Sequence, residues 1–169
     1  EPARDARTDR QYYSSYAPDL ANRSAGKLFL GSYSVDKSGF ETYNEGIAFR
    51  SRPTAVSGIY TFVQDYHDTS ETGLVVISLV NDEDGKEVEI GRGVGYLKPS
   101  TSFTRFNVPV VYSIRNKRAT RLKLMVASSN HASYSIEEES RNIKTSDYLE
   151  TAVSTGAELT VDQLSLLYE

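Results

Sequence analysis

The sequence predicts a single all-β domain with the strand pattern of a two-sheet sandwich or jelly roll. Residue usage favours strands, with 12 Tyr and 6 Phe among 169 residues, because aromatic side chains suit a pleated, half-buried surface. About eight segments alternate apolar and polar residues or run apolar throughout, and turn residues separate them. No segment shows the pattern of a long amphipathic helix. The chain is long enough for one domain with its own core.

The first part of the chain predicts a polar arm followed by the first strands. Residues 1–25 are charged and rich in Tyr, Ser and Arg, and we interpret them as an arm or linker. Residues 26–169 form the predicted domain. Within it, residues 27–33 predict a strand, residues 34–45 a loop and residues 47–49 a short extended piece.

The middle of the chain predicts two core strands and a hairpin. Residues 56–64 alternate between two faces, and residues 74–80 are almost wholly apolar, the pattern of a strand covered on both sides. The Asp-Gly pair at 84–85 then predicts a turn, because glycine accepts the positive φ that a tight hairpin requires. Three alternate glycines between residues 91 and 95 indicate a bulge or a close approach of another backbone segment.

Three later segments complete the predicted sandwich. Residues 103–114 predict the longest strand, and Pro109 within it favours an edge position or a bulge. Residues 121–128 alternate again. Residues 159–168 change phase at Asp162-Gln163, so we expect a bulge at that point.

Composition and charge exclude several classes of function. The chain has no Cys, which excludes disulfide scaffolds, thiol catalysis, iron–sulfur clusters and Cys-based zinc sites. Nineteen Lys and Arg against 23 Asp and Glu give a formal charge of −4, which argues against nucleic acid as a partner. No apolar run approaches the roughly 18–20 residues of a membrane helix, so we expect no transmembrane segment in this chain. No signal peptide is evident either, as in a processed extracytoplasmic domain.

Four segments carry a family resemblance. They are GKLFLG at 26–31, GIAF leading into RPT at 46–54, the strand with the Phe-x-Val-Pro core at 103–112, and the pair formed by 127–129 and 156–162. In order and spacing they resemble the carbohydrate-metabolism domain (PCMD) family of exported Bacteroidota surface proteins, over residues 25–169. The family commonly has a Trp-containing segment upstream of the first of these strands, and the chain has no Trp. We expect either that residues 1–25 are a divergent version of that segment or that an N-terminal piece has been removed.

The resemblance implies a fold, a location and a partner. It implies a jelly-roll sandwich similar to carbohydrate-binding modules, placed at the cell surface or in the periplasm. It also implies an upstream domain in the same polypeptide, which is often a lipoprotein. We therefore expect a non-catalytic carbohydrate-recognition domain whose partner is a glycan. A structural or adhesion module that docks neighbouring domains is the alternative.

Glycan recognition requires flat aromatic faces and side chains that hydrogen-bond to sugar hydroxyl groups. The candidate ligand-binding residues are Tyr43, Tyr66, Arg52, Asp65, Gln64, Tyr60 and Tyr96. Tyr43 and Tyr66 lie in predicted loops, where a rigid sandwich presents ligand groups. Tyr60 and Tyr96 have a competing interpretation as core residues, and we expect them to pack in the core.

Asp162 is the candidate metal ligand. In sugar-binding jelly rolls with a similar ending, a carboxylate at this point often holds a structural calcium, which accepts main-chain carbonyls and water as further ligands. The alternative is that Asp162 bonds a backbone N–H within the bulge. No other cofactor is expected.

A glycoside-processing enzyme is the weakest alternative. Glycoside hydrolysis needs two carboxylates about 5 to 10 Å apart. No acidic residue of this sequence has a distinctive context, so we assign no catalytic residue.

Overall fold

The described part of the chain consists of antiparallel strands. The computed structural model describes residues 25–36, 41–64, 69–82, 85–131, 134 and 157–168. The predicted arm at 1–25 lies outside this part, apart from Ala25. No helix occurs among the described residues, so the predicted all-β class is confirmed. It follows that these residues include no helix of the length and apolar character needed to cross a membrane.

The described residues form eleven strands in chain order. They are β1 (Lys27–Phe29), β2 (Gly31–Val35), β3 (Glu41–Glu45), β4 (Ile47–Ala48), β5 (Ala55–Val63), β6 (Gly73–Asn81), β7 (Val88–Leu97), β8 (Ser100–Pro109), β9 (Val111–Tyr112), β10 (Arg121–Ala127) and β11 (Glu158–Leu167).

Two sheets share one hydrophobic core. The main sheet has the order β1-β10-β6-β7-β9, with β4 also paired to β10, and the small sheet has the order β11-β5-β8. Strands β2 and β3 form a separate hairpin. Buried side chains from both sheets meet in a single cluster, including Phe62 of the small sheet and Ile77 of the main sheet. The arrangement is sandwich-like, because each sheet covers the apolar face of the other.

Strand β6 lies at the centre of the main sheet and is buried along its whole length, as the apolar run predicts. Its inner side faces the small sheet. On its outer side, Leu74 and Val76 join Met125 and Ala127 of β10 in a second cluster, against which Phe29 packs. Apolar residues on both faces follow from this double coverage.

The turns and bulges that the sequence predicts are present. Between β6 and β7 the N–H of Gly85 donates to the carbonyl of Asp82 (3.3 Å), and Gly85 has φ = 72°. Strand β11 slips in register between Asp162 and Ser165, and Gln163 takes φ = 55° there. The phase change in the sequence therefore corresponds to a real bulge.

Three predicted boundaries are wrong. Residues 34–45 contain parts of β2 and β3 rather than only a loop, and residues 27–33 divide between β1 and β2. The predicted strand at 103–114 divides between the sheets, since β8 pairs with β5 while β9 pairs with β7. Pro109 ends β8, which is an edge strand of the small sheet as proline favours.

Candidate functional site

The inner face of β7 is a stripe of glycines because another strand crosses it closely. Gly93 and Gly95 lie opposite core residues of β6. A Cβ built on Gly93 would overlap the carbonyl oxygen of Pro109, and one built on Gly91 would lie 2.6 Å from Cδ1 of Tyr112. The predicted close approach is thus confirmed. Since glycines occupy the inner positions, the alternate residues of β7 project from the outer face of the main sheet.

A bulge brings two opposite charges to that outer face. Val80 of β6 pairs with Glu89, whereas the preceding Leu79 pairs with Gly91. Residues three apart on a regular strand point to opposite faces. One additional residue in β7 changes the phase, so Glu89 and Arg92 lie on the same face.

Four side chains form what we call the outer tyrosine cluster: Glu89, Arg92, Tyr96 and Tyr134. The hydroxyl groups of Tyr96 and Tyr134 share a hydrogen bond of 3.0 Å. The guanidinium carbon of Arg92 lies 5.0 Å from the ring centroid of Tyr134, within cation–π range. Arg92 Nη1 lies 3.5 Å from Glu89 Oε2, and Ser78 Oγ donates to the same oxygen at 2.7 Å.

The cluster is open to solvent although its members contact each other. Tyr96 is 53% exposed and Tyr134 is 41% exposed. The register partner of Arg92 on β9 is Val111, which is 72% exposed. An accessible aromatic surface with a guanidinium, a carboxylate and an apolar edge therefore lies on one sheet face.

The hydroxyl of Tyr96 stays protonated at neutral pH. The hydrogen bond with Tyr134 raises the pKa of Tyr96 above its ordinary value, and burial and the charge of Tyr134 raise it further. Because that ordinary value is about 10, the raised pKa keeps this O–H a donor throughout the physiological range.

Two cationic side chains of β10 on the same outer face are paired with carboxylates. Arg121 lies 2.6 Å from a Glu87 oxygen and 3.4 Å from an Asp82 oxygen. Lys123 contacts the other Glu87 oxygen and lies 4.0 Å from Glu45. This network abuts the cluster, because Lys123 pairs in register with Ser78.

Arg52, a predicted ligand-binding residue, binds the main chain instead. Its guanidinium donates to the carbonyl groups of Ile114, Arg115 and Lys117 at 2.8–3.2 Å. It also stacks 4.0 Å from the centroid of the Tyr112 ring. Burial raises the pKa of Tyr112, and the Arg52 charge opposes that rise. Arg52 thus holds the segment after β9 in place, although it borders an open depression of about 530 Å³.

Tyr60 and Tyr96 both had a competing interpretation as core residues, and the structure places them in different environments. Tyr60 is buried, its hydroxyl donates to the carbonyl of Lys98 (3.0 Å), and its ring meets Phe106 edge-on at 6.0 Å. Tyr60 therefore packs in the core, as its competing interpretation predicts. The expectation that Tyr96 packs in the core is wrong, because its register partner Leu74 faces the outer side of the main sheet.

Of the other predicted binding residues, the two that the structure describes, Tyr43 and Gln64, lie outside the cluster. Tyr43 lies in β3 rather than in a loop and packs against the second apolar cluster. The side-chain amide of Gln64, just after β5, donates to the carbonyls of Thr69 and Glu71, just before β6. These bonds link the end of β5 to the start of β6. Asp65 and Tyr66 lie outside the described residues.

Asp162 bonds within its own bulge. Its Oδ1 accepts the N–H of Gln163 at 2.7 Å, which is the alternative to calcium binding that the sequence left open. Across the described residues, no group of three or more His, Cys, Asp and Glu side chains is positioned to hold a metal ion.

Sequence reasoning missed three members of the cluster, Glu89, Arg92 and Tyr134. Arg92 was detectable in principle, because residues 92 and 96 share the face opposite the glycines at 91, 93 and 95. Tyr134 gave no such signal, since folding brings it to Tyr96 from 38 residues away.

Comparison of the chain with protein-family models, with curated proteins and with solved structures finds no match. The geometry of the outer face is therefore the basis on which a function is proposed.

Proposed function

We propose that this domain recognises a glycan, without catalysing a reaction, through the outer tyrosine cluster. The observation that carries the proposal is the hydrogen-bonded pair of exposed tyrosines, Tyr96 and Tyr134, beside Arg92 and Glu89. Sugar rings present C–H faces that stack on aromatic rings, and their hydroxyl groups need both donors and acceptors. The cluster offers both kinds of contact on one open surface.

The hydrogen-bonding capacity of the cluster suits a polyol. The bond between Tyr96 and Tyr134 uses one of their two O–H groups, so the other remains to donate to a ligand. Glu89 has a second carboxylate oxygen that accepts, and Arg92 has further N–H groups that donate. Vicinal hydroxyl groups of a sugar match such neighbouring donors and acceptors.

The finer features of the proposal follow from the family resemblance. They are the jelly-roll topology, membership of the PCMD family, an extracytoplasmic location and an upstream domain in the same polypeptide. The sandwich-like core of two sheets is compatible with that fold. Fold analogy alone does not assign function, so the surface chemistry of Tyr96 and Tyr134 carries the argument.

A docking module remains the second candidate. Several large apolar side chains are exposed, among them Val111 at 72% and Phe103 at 57%. Such side chains suit contact with a neighbouring domain. The two candidates differ in what they require of the cluster, because docking needs no hydrogen-bonded tyrosine pair.

The test is a glycan array at neutral pH with calcium, followed by titration calorimetry of one binding glycan with variants. Tyr96→Ala and Tyr134→Ala are expected to lose about tenfold in affinity, the equivalent of one stacking contact, with little change in melting temperature. Phe103→Ala is the matched control, since Phe103 is exposed to a similar extent on the small sheet.

The outcomes separate the candidates. The assignment would move to docking if the domain binds no host, plant or microbial glycan on the array, or if both tyrosine variants keep full affinity. Repeating the assay in EDTA tests Asp162: unchanged affinity is expected from its role in the bulge, and loss of affinity would support a calcium site.

A further inference from the structure

We infer that the outer tyrosine cluster selects neutral glycans over acidic ones, and that Glu89 is the residue that sets this preference. The inference rests on the proposed function and names the ligand class of the same site. Three observations carry it: the charge balance of the surrounding face, the fixed position of Glu89, and the engagement of Arg92.

Among the residues that the structure describes, the charges beside the cluster leave no excess of positive charge. Of the register rows of the main sheet that cross this face, those through Ser78 and Val80 contain Arg92 and Glu89. Their cationic side chains are Arg92, Lys123 and Arg121. Each lies within 4.0 Å of a carboxylate, and the carboxylates are Glu89, Glu87, Asp82 and Glu45. In these two rows and their ion-pair partners, three cations thus face four anions. Lys27, in the register row of Tyr96, brings the described charges of the face into balance, so an acidic ligand meets no excess of positive charge.

Glu89 is held in place at the edge of the cluster. Ser78 Oγ donates to its Oε2 at 2.7 Å, and the bulge in β7 fixes its backbone on the outer face. A mobile carboxylate moves away from an anionic ligand, whereas a carboxylate fixed by a hydrogen bond does not. Its repulsion therefore acts against uronic acids and sulfated sugars, while neutral hydroxyl groups are able to donate to it.

Arg92 is the side chain that an acidic sugar would otherwise use. Arginine binds carboxylates in a bidentate manner, but here its guanidinium lies against Glu89 and over the Tyr134 ring. Removing the charge of Glu89 frees Arg92 for a ligand carboxylate. Glu89 thus has two effects in the same direction, since it repels the acidic ligand and occupies the group that would attract it.

The experiment compares matched sugars and a matched pair of variants. Titration calorimetry at low ionic strength measures the affinity of the wild-type domain for a neutral oligosaccharide and for its uronate counterpart, chosen from the array. We expect at least a tenfold preference for the neutral sugar. Glu89→Gln keeps an acceptor for Ser78 and is expected to lower that preference about tenfold. Glu158→Gln makes the same change in net charge on the exposed surface of the small sheet, and should leave the preference unchanged.

A double variant tests whether the Arg92 guanidinium causes the gain in uronate affinity. In Glu89→Gln combined with Arg92→Gln, the gain in uronate affinity should be smaller than in Glu89→Gln alone, because only the lost repulsion remains and the freed guanidinium is absent. Added salt should reduce the wild-type preference, since both Arg92 and Glu89 are partly exposed and are screened.

The possible failures are distinguishable. If the wild-type domain binds the two sugars equally, or if Glu89→Gln leaves the preference unchanged, the inference is overturned while glycan recognition stands. If the wild-type domain binds neither sugar, the proposed function fails and the inference fails with it.

Discussion

The two faces of strand β7 depend on opposite properties of their residues. The inner face carries Gly91, Gly93 and Gly95, and it functions because these positions have no side chains, which lets β8 and β9 cross closely. The outer face carries Arg92 and Tyr96, and its chemistry resides in those side chains. One strand therefore separates the residues that stabilise the fold from those of the proposed recognition surface, by alternation. Substitutions on the inner face should alter folding, and substitutions on the outer face should alter binding.

The largest expected effect comes from adding one methyl group to the inner face. Gly93→Ala places a Cβ against the carbonyl oxygen of Pro109 and 3.0 Å from Ile77 Cγ2, in a region that is fully buried. We expect the free energy of unfolding to fall by about 3 kcal/mol, because a packed core accommodates an added atom only by moving backbone. Urea denaturation measures this change.

Gly26→Ala is the control for the glycine prediction. A Cβ at Gly26 would lie 3.5 Å from Ser128 Oγ, an ordinary contact, so its effect should stay within about 0.5 kcal/mol. A Gly93→Ala variant as stable as the wild type would break the comparison, because it would mean that β8 does not press against β7.

Removing Arg52 from the side chains stacked above Gly91 is expected to have an intermediate effect on stability. Tyr112 lies over Gly91, and Arg52 lies over Tyr112 while it donates to three main-chain carbonyls. Arg52→Ala is expected to lower the free energy of unfolding by about 2 kcal/mol, because charged hydrogen bonds and a cation–π contact are lost together. Thermal or urea unfolding measures the loss, and the exposed neighbour Arg50 serves as control through Arg50→Ala.

A second measurement on the Arg52 variant tests the cause. The Arg52 charge holds down the pKa of Tyr112, so that pKa should rise when Arg52 is removed. Glycan affinity should be unchanged, since Arg52 contacts the main chain and not the outer tyrosine cluster. An affinity loss equal to that of Tyr96→Ala would restore Arg52 to the binding residues.

The buried strands of the fold were more predictable from the sequence than the exposed outer face of the main sheet. Periodicity reports burial, so it predicted the double coverage of β6 and the bulge at Asp162. It failed where apolar alternation continues across a change of sheet, as it does around Val110, because that change depends on a tertiary crossing. It also missed the β2–β3 hairpin, where the mostly exposed polar residues give little burial signal.

The site was less predictable because its residues are defined by contacts distant in sequence. Aromatic residues usually fill cores, which led to the wrong expectation for Tyr96. Its actual face depends on the glycines lying inward, and its partner Tyr134 arrives from a separate segment. The contacts of Arg52 were likewise not predictable, since its sequence context does not reveal the carbonyl groups that accept its hydrogen bonds.

The smallest expected effect concerns the proton of Tyr96 and leaves folding almost untouched. The Tyr134 hydroxyl is the main cause of the raised pKa of Tyr96, so Tyr134→Phe should return that pKa toward its ordinary value of about 10. The raised pKa means that the hydroxyl bond stabilises the folded state fully below that ordinary value and is lost as the pH rises through the folded one. NMR titration of Cζ-labelled tyrosine resolves Tyr96 from the others, and Tyr168→Phe should leave its titration unchanged. If Tyr96 already titrates at the ordinary value in the wild type, the two hydroxyl groups are not joined in solution. The outer face would then carry two independent tyrosines rather than a preorganised pair.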